Sequence, residues 1–180
     1  MTCESGQIPS WSKRVSGAGP IHLVTFVTWN RAPIFGDYRA ARAASRIIHS
    51  HKTWRRAQCL AWILMPDHLH VLIRLDDVEL SKVLARARSR MTRALRAQGR
   101  TFPLWQRAFQ DRVLARDADA RAVARFVVAN AVRAGLVSHV GLYPYWNAVW
   151  MNERGTTQHR LVPHDTRRID SGAGRPLGPT

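Results

Sequence analysis

Three segments in the first half of the chain carry apolar residues in patterns typical of β-strands. Residues 21–29 alternate and are rich in β-branched and aromatic types, whereas residues 58–65 are largely apolar. Residues 68–75, HLHVLIRL, follow after a tight turn and are rich in aliphatic residues. These patterns predict three strands, and the short turn predicts that the second and third form a hairpin. Residues 109–116 are predicted as a fourth strand.

Apolar residues recur at helical spacing in further segments. Residues 37–57 carry small and aliphatic residues on one side, and Asp37 is placed to cap the start of this helix. Residues 79–98 form one continuous apolar stripe, with basic residues on the remaining faces. A third helix is predicted to begin at Asp117 or Asp119 and to reach about residue 132.

The predicted order is therefore β-α-β-β-α-β followed by a further helix. This order is typical of an α+β fold, the ferredoxin-like sandwich, in which an antiparallel sheet has helices packed on one face. Trp29, Trp62 and the apolar strand residues are expected to supply its core. The domain is predicted to span residues 21–150, because residues 1–20 and 151–180 are polar, rich in glycine and unpatterned. Both terminal segments are predicted to be disordered.

The charge of the chain points to a class of partner. The 28 Lys and Arg residues outnumber the 12 Asp and Glu residues, which gives a net charge of +16. Nearly all of this positive charge is arginine, whose planar guanidinium donates two hydrogen bonds to one phosphate. Nucleic acid is therefore the expected partner.

Cysteine usage and hydropathy indicate the compartment. Cys3 and Cys59 are too few and too far apart for a disulfide framework or a cysteine-based metal site. No apolar run approaches the roughly 20 residues of a membrane span, and the N-terminal residues lack the apolar core of a signal peptide. We therefore expect a cytoplasmic protein that has no membrane partner.

The third predicted strand carries two histidines, His68 and His70. Side chains alternate faces along a strand, so the two histidines share a face with their Cα atoms about 6.6 Å apart. Imidazole is a common metal ligand, and this pair predicts a site for one divalent ion whose third ligand comes from another element. The same spacing also occurs by chance on exposed strands, and taken alone it leaves both interpretations open.

The segment around the histidines resembles a known family. The stretch AWILMPDHLH from residue 61 is similar to the histidine–bulky apolar–histidine signature of the single-tyrosine HUH transposases, and most closely to their branch of REP-associated tyrosine transposases. The resemblance covers residues 21–150 and includes four further stretches in the same order: HLVTF from residue 22, LWQRAF from 104, ANAVRAGLV from 129 and YPYW from 143.

The resemblance implies a mechanism and its residues. In the family, the histidines hold Mg²⁺ or Mn²⁺ at the scissile phosphodiester, and a helix-borne tyrosine attacks the phosphorus to form a 5′-phosphotyrosine. A Gln or Asn four residues after the tyrosine is a further metal ligand. Here Asn130 matches that ligand and joins His68 and His70, but Phe126 occupies the position of the nucleophile. Ala131 stands where the family has proline.

Two groups of residues are predicted to contact DNA. Arg86, Arg90 and Arg93 share one face of the second helix, where Glu79 alone offers an acidic partner, so phosphate contact explains them better than salt bridges do. Within the LWQRAF stretch, Trp105, Gln106 and Arg107 match a family motif. The tryptophan is expected either to stack on an unpaired base or to fill the core.

These observations predict a transposase-like protein that binds single-stranded or hairpin DNA without strand transfer, because phenylalanine has no nucleophilic oxygen. A decayed transposase and a nuclease that uses metal-bound water are the alternatives within the family. Outside the family there are two further alternatives. A ferredoxin-like RNA-binding module would need exposed aromatic residues on the central strands. An arginine-rich structural scaffold would show no preference for a DNA hairpin over a duplex. The resemblance leaves monomer and homodimer equally open.

Overall fold

The computed structural model describes residues 19–101, 103–115 and 117–152. The predicted disordered segments 1–20 and 151–180 lie almost entirely outside these described residues. The strands and α-helices are, in chain order, β1 (Ile21–Val27), α1 (Tyr38–His49), β2 (Ala57–Leu64), β3 (His68–Leu75), α2 (Leu80–Arg96), β4 (Gln110–Val113), α3 (Ala120–Val128), α4 (Asn130–Arg133) and β5 (Trp146–Ala148). Short 3₁₀ turns cover Trp29–Arg31, Ile34–Gly36, Val140–Leu142 and Val149–Asn152.

The strands form one antiparallel sheet in the order β4-β1-β3-β2-β5. Its first four strands have the spatial order of the ferredoxin-like unit, so the predicted fold class is confirmed. The fifth strand is an addition from the C-terminal aromatic segment, and it pairs with the free edge of β2. The three inner strands, β1, β3 and β2, therefore have paired neighbours on both sides.

The two faces of the sheet are covered by different helices. Leu69, Val71 and Ile73 of β3 belong to the main core together with the apolar stripes of α1 and α2. Leu72 lies on the opposite face, in a second cluster with Ala124 and Val128 of α3. The helices of the β-α-β-β-α-β unit thus share one face as predicted, while the further helix covers the other face. The same alternation places His68 and His70 on the α3 face.

Helix boundaries follow from side chains that bond to backbone groups. The Asp37 carboxylate accepts from the Ala40 N–H and caps α1 as predicted. The helix ends at His49 instead of residue 57, because Thr53 and Trp54 donate to the carbonyls of Ile47 and Ile48 in its last turn. These bonds fold residues 50–56 back as a turn against the helix end.

Trp62 is buried as expected, but the prediction for Trp29 is wrong. Trp62 retains 6% of its exposure, whereas Trp29 retains 45%. The strand β1 ends at Val27, so Trp29 lies in the following turn, where Asn30 and Arg31 have positive φ, and not in the strand. Among the described residues, no helix has the length and apolar character needed to cross a membrane.

Candidate functional site

His68 and His70 lie side by side on the α3 face, as their spacing predicted. Their ring centroids are 4.7 Å apart, and the ring planes cross at 77°. Both side chains are partly buried beside residues that are fully buried, Leu69 and Val71. The backbone positions of both rings are therefore fixed by the main core on the other side of the sheet.

A neighbouring oxygen orients each imidazole. The Asp67 carboxylate lies 2.5 Å from Nδ1 of His68, and the Thr25 hydroxyl lies 2.8 Å from Nδ1 of His70. Thr25 is opposite His70 in the β1–β3 register. An oxygen on Nδ1 fixes the ring orientation and directs Nε2 toward a ligand, the usual arrangement behind metal-binding histidines. Within the described part of the chain, neither Nε2 has a hydrogen-bond partner.

Asp67 connects this pair to a third side chain. Its second oxygen accepts from Arg31 at 3.0 Å. Burial alone would raise the pKa of Asp67, but the hydrogen bonds and charges of His68 and Arg31 outweigh burial and lower it. Asp67 is therefore ionised at neutral pH and acts as a fixed acceptor for His68.

His70 is held in its neutral form. Burial of the ring, with smaller contributions from the charges of His68 and Arg133, lowers the pKa of His70 from 6.5 to about 4. A neutral imidazole is the form that binds a metal ion. The same shift makes the stability of the fold sensitive to acid, because between pH 6.5 and 4 His70 binds a proton in the unfolded chain but not in the folded chain.

We expect the free energy of unfolding to fall as the pH decreases from 6.5 to 4. In this window the unfolded chain binds a proton at His70 and the folded chain does not, so the contribution of His70 is complete above 6.5 and is lost toward 4. The loss is roughly 1–3 kcal/mol by order of magnitude. Urea denaturation of wild type and His70→Gln across this range measures it. If the free energy of unfolding depends on pH in His70→Gln as it does in wild type, the acid sensitivity comes from other groups.

The α3–α4 segment places Phe126, Asn130 and Arg133 together. Phe126 is 58% exposed, and the Arg133 guanidinium carbon lies 3.8 Å from its ring centroid. Nη2 of Arg133 donates to the Phe126 carbonyl and to Oδ1 of Asn130, both at 2.8 Å. The Asn130 amide nitrogen donates to the Val127 carbonyl at 2.8 Å. The side chain of Asn130 is thus engaged at both ends.

The predicted metal ligands are not equally suited to a metal ion. The histidine pair fits a divalent ion, since both rings are oriented and Nε2 is available. Asn130 is less suited, because its ligand atom Oδ1 already accepts from Arg133, whose positive charge opposes a second cation at that oxygen. Among the described residues, no group of three or more His, Cys, Asp or Glu side chains is arranged to hold a metal ion. The arrangement thus offers two of the three predicted ligands.

The three tyrosines of the chain lie away from the nucleophile position. Tyr143 is buried and donates to the Leu64 carbonyl at 2.6 Å, and burial raises its pKa to about 12. Tyr145 packs edge-on against Tyr143, with ring centroids 5.8 Å apart. Tyr38 opens α1, which covers the opposite face of the sheet. The structure therefore does not support any of these three tyrosines as a nucleophile acting in place of Phe126.

The arginines of α2 do not behave as one DNA-binding face. Arg86 donates to the Arg55 carbonyl at 3.1 Å, and Arg90 donates to the Thr53 hydroxyl at 3.2 Å. Both residues thus stabilise the turn after α1, and this role explains their spacing without DNA. Arg93 is exposed. All three belong to the helix that packs on the face opposite the histidines.

Trp105 is a core residue in this structure, which agrees with the core-filling alternative for this tryptophan and not with base stacking. It retains 6% of its exposure and packs against Phe26 and Phe35 with ring centroids 5.6 and 5.5 Å apart. Stacking on a base requires an exposed ring. The neighbouring Gln106 is half-buried and Arg107 is exposed.

Sequence reasoning missed four residues of this region: Thr25, Asp67, Arg88 and Arg133. Arg88 donates to the carbonyls of Gln106 and Arg107 and so holds their loop. The roles of Thr25 and Arg88 depend on the register of β1 against β3 and on helix packing, which the sequence does not give. Asp67 and Arg133 do carry a signal in the sequence, since they lie within the AWILMPDHLH and ANAVRAGLV stretches.

One solved structure shares this architecture. The structure of the REP-associated tyrosine transposase bound to a REP hairpin matches with a TM-score of 0.59 and 21% identity over 99% of this chain and 100% of that chain. A proposed transposase from Deinococcus radiodurans R1 matches with a TM-score of 0.45 and 17% identity over 72% of this chain and 97% of that one. No curated protein sequence matches.

The family model described as "Transposase IS200 like" matches residues 18–123, which is more than half of the chain. The matched range contains both histidines and ends just before Phe126. On this match, together with the confirmed fold, the chain belongs to the IS200-like transposase family.

Proposed function

We propose that this protein binds single-stranded or hairpin DNA and does not transfer strands. The observation that carries the proposal is Phe126, which is exposed on the same sheet face as an oriented histidine pair. The ring lies where the family resemblance puts the nucleophile, yet it has no oxygen. Phe126 therefore removes the chemistry of strand transfer without removing the surface that binds DNA. The resemblance to a REP-associated branch suggests hairpins at repeated palindromes as the DNA.

Exposed cations on the histidine face support DNA binding. Arg112 of β4 is exposed opposite Leu23, so both side chains lie on the α3 face. Arg133 extends the same face from α4 and is also exposed. Arg93 and Arg107 remain proposed phosphate contacts at other positions. Because the net charge is +16, binding is expected to depend strongly on salt.

His68 and His70 remain the proposed contact for Mg²⁺ or Mn²⁺, the ions that the family resemblance implies. Retained DNA binding is favoured over hydrolytic cleavage because Oδ1 of Asn130 is engaged by Arg133. A metal ion with two protein ligands is less well positioned than one with three, and positioning is what metal catalysis requires of the protein.

The RNA-binding alternative fits the structure less well. Such modules stack bases on aromatic side chains of the central strands. Here Phe26 is the one phenylalanine, tyrosine or tryptophan of β1 and β3, and it retains 1% of its exposure. The helices α1 and α2 cover its face of the sheet.

Hairpins are expected to bind at least tenfold more tightly than blunt duplexes of the same sequence. The proposed site lies on a sheet face, where a flexible single strand can be accommodated beside a duplex stem. Fluorescence anisotropy with a library of hairpins that carry single-stranded flanks measures the preference. For 6 or more phosphate contacts, affinity should fall by about 10³-fold between 50 and 200 mM salt.

Equal affinity for hairpin and duplex would support the arginine-rich scaffold and contradict the proposal. Tighter binding to an RNA hairpin than to its DNA counterpart would favour the RNA-binding module. The stoichiometry from the same titration distinguishes a monomer from a homodimer.

A further inference from the structure

Arg133 is held in place more firmly than an exposed arginine usually is. One nitrogen, Nη2, donates to both the Phe126 carbonyl and Oδ1 of Asn130. The guanidinium plane also lies over the Phe126 ring, 3.8 Å from its centroid, as a cation–π contact. A long flexible side chain fixed at three points loses little further conformational entropy when it binds a ligand.

The contacts of Arg133 leave part of its guanidinium available. Within the described residues, Nη1 and Nε have no hydrogen-bond partner, and the side chain is exposed. Both edges of a guanidinium that donate two parallel hydrogen bonds include Nη2, which is already engaged here, so Nη1 and Nε can each donate a separate charge-assisted hydrogen bond to a phosphate oxygen. The N–H groups that are not used within the protein are therefore available to an oxyanion.

The position of Arg133 relates it to the histidine pair. Ala131, two residues before Arg133, packs with Ile63 of β2 in one buried cluster. Ile63 is paired with His70 in the β2–β3 register. The helical turn that carries Arg133 therefore lies against the strand position next to His70. The Arg133 guanidinium also engages Oδ1 of Asn130, the predicted third metal ligand. A fixed positive charge thus lies next to the place where the family resemblance puts a metal ion.

We propose that Arg133 is a phosphate-binding residue that holds one phosphodiester of a DNA strand beside the histidine pair without a metal ion. This inference rests on the proposed function and names the group that contacts the DNA backbone at that site. It assigns the guanidinium the electrostatic role of a cation bound there. It gives no role to Arg133 in bond cleavage.

The first experiment measures hairpin affinity in EDTA for wild type, Arg133→Gln and Arg125→Gln. Arg125 is the matched control, since it is exposed, precedes Phe126 and pairs with Asp119 at 3.6 Å. Arg133→Gln is expected to weaken binding about tenfold and to reduce the salt slope by about 0.7–0.9. Arg125→Gln is expected to weaken it less than threefold. Equal effects of the two variants, or an Arg133 effect that appears only with Mn²⁺, would overturn the proposal.

A second experiment separates this proposal from the proposed function. The Nε–H signal of Arg133, assigned by its absence in Arg133→Gln, is followed by NMR as the dinucleotide thymidylyl-thymidine is added in EDTA. A saturable shift supports the phosphate site even if no hairpin binds, and an unmoved signal overturns it. If circular dichroism shows that Arg133→Gln is unfolded, Arg133→Lys replaces it in the affinity measurement. Its expected loss of affinity is smaller than tenfold, because lysine keeps the charge and loses the guanidinium that is held over the Phe126 ring.

Discussion

Replacement of Phe126 by tyrosine is expected to change the protein from one that forms no covalent DNA adduct into one that does. The substitution adds a single hydroxyl to a ring that is 58% exposed on the histidine face. The Arg133 guanidinium over that ring favours the phenolate, the nucleophilic form of tyrosine. A labelled hairpin incubated with Mn²⁺ or Mg²⁺ and separated on a denaturing gel shows the adduct as a shifted band.

Two controls define this result. A Phe126→Tyr protein that also carries His68→Ala and His70→Ala should form no adduct, which ties the chemistry to the histidine pair. Wild type should form none. An adduct in wild type would show that another tyrosine is the nucleophile. That result would contradict the structure, in which the Tyr143 hydroxyl is buried and donates to the Leu64 carbonyl.

Replacement of Trp105 by alanine is expected to lower the free energy of unfolding by about 3–5 kcal/mol. Trp105 is buried between Phe26 and Phe35, so truncation leaves a cavity in the main core. Trp105→Phe should cost less, because it keeps an aromatic ring and removes Nε1, which has no hydrogen-bond partner in the described part of the chain. Urea denaturation followed by circular dichroism measures both variants.

Trp29→Ala serves as the control for this stability effect. Trp29 is 45% exposed, and its loss should change the free energy of unfolding by less than about 1 kcal/mol. Trp105→Ala is also expected to bind hairpin DNA normally under conditions where it stays folded. A stable Trp105→Ala protein that no longer binds DNA would restore the base-stacking interpretation.

The sequence predicted best what depends on local pattern. The bounds of β3, His68–Leu75, match the prediction, because a tight turn precedes this aliphatic segment and the polar Asp76 and Asp77 follow it. The shared face of the two histidines follows from the alternation of side chains along any strand. The Asp37 cap was also predictable, since an aspartate before an apolar-periodic segment satisfies N–H groups at the start of the helix.

What depends on packing between distant segments was not predictable. The partners of Arg86 and Arg90 come from a turn that the sequence suggested was helical. The burial of Trp105 requires the position of β1 next to its loop, which the pairing of Thr28 with Trp105 establishes. Asn130 matched a ligand position in the motif, yet only coordinates show that Arg133 engages its oxygen.

The exposure of Phe126 also bears on how such a chain evolves. A side chain that the core does not use can change without a penalty in folding, so selection on stability does not preserve its identity. Phenylalanine and tyrosine codons differ by one base. A lineage carrying this fold can therefore lose the nucleophile, and regain it, by a single point mutation while every contact of the sheet stays in place.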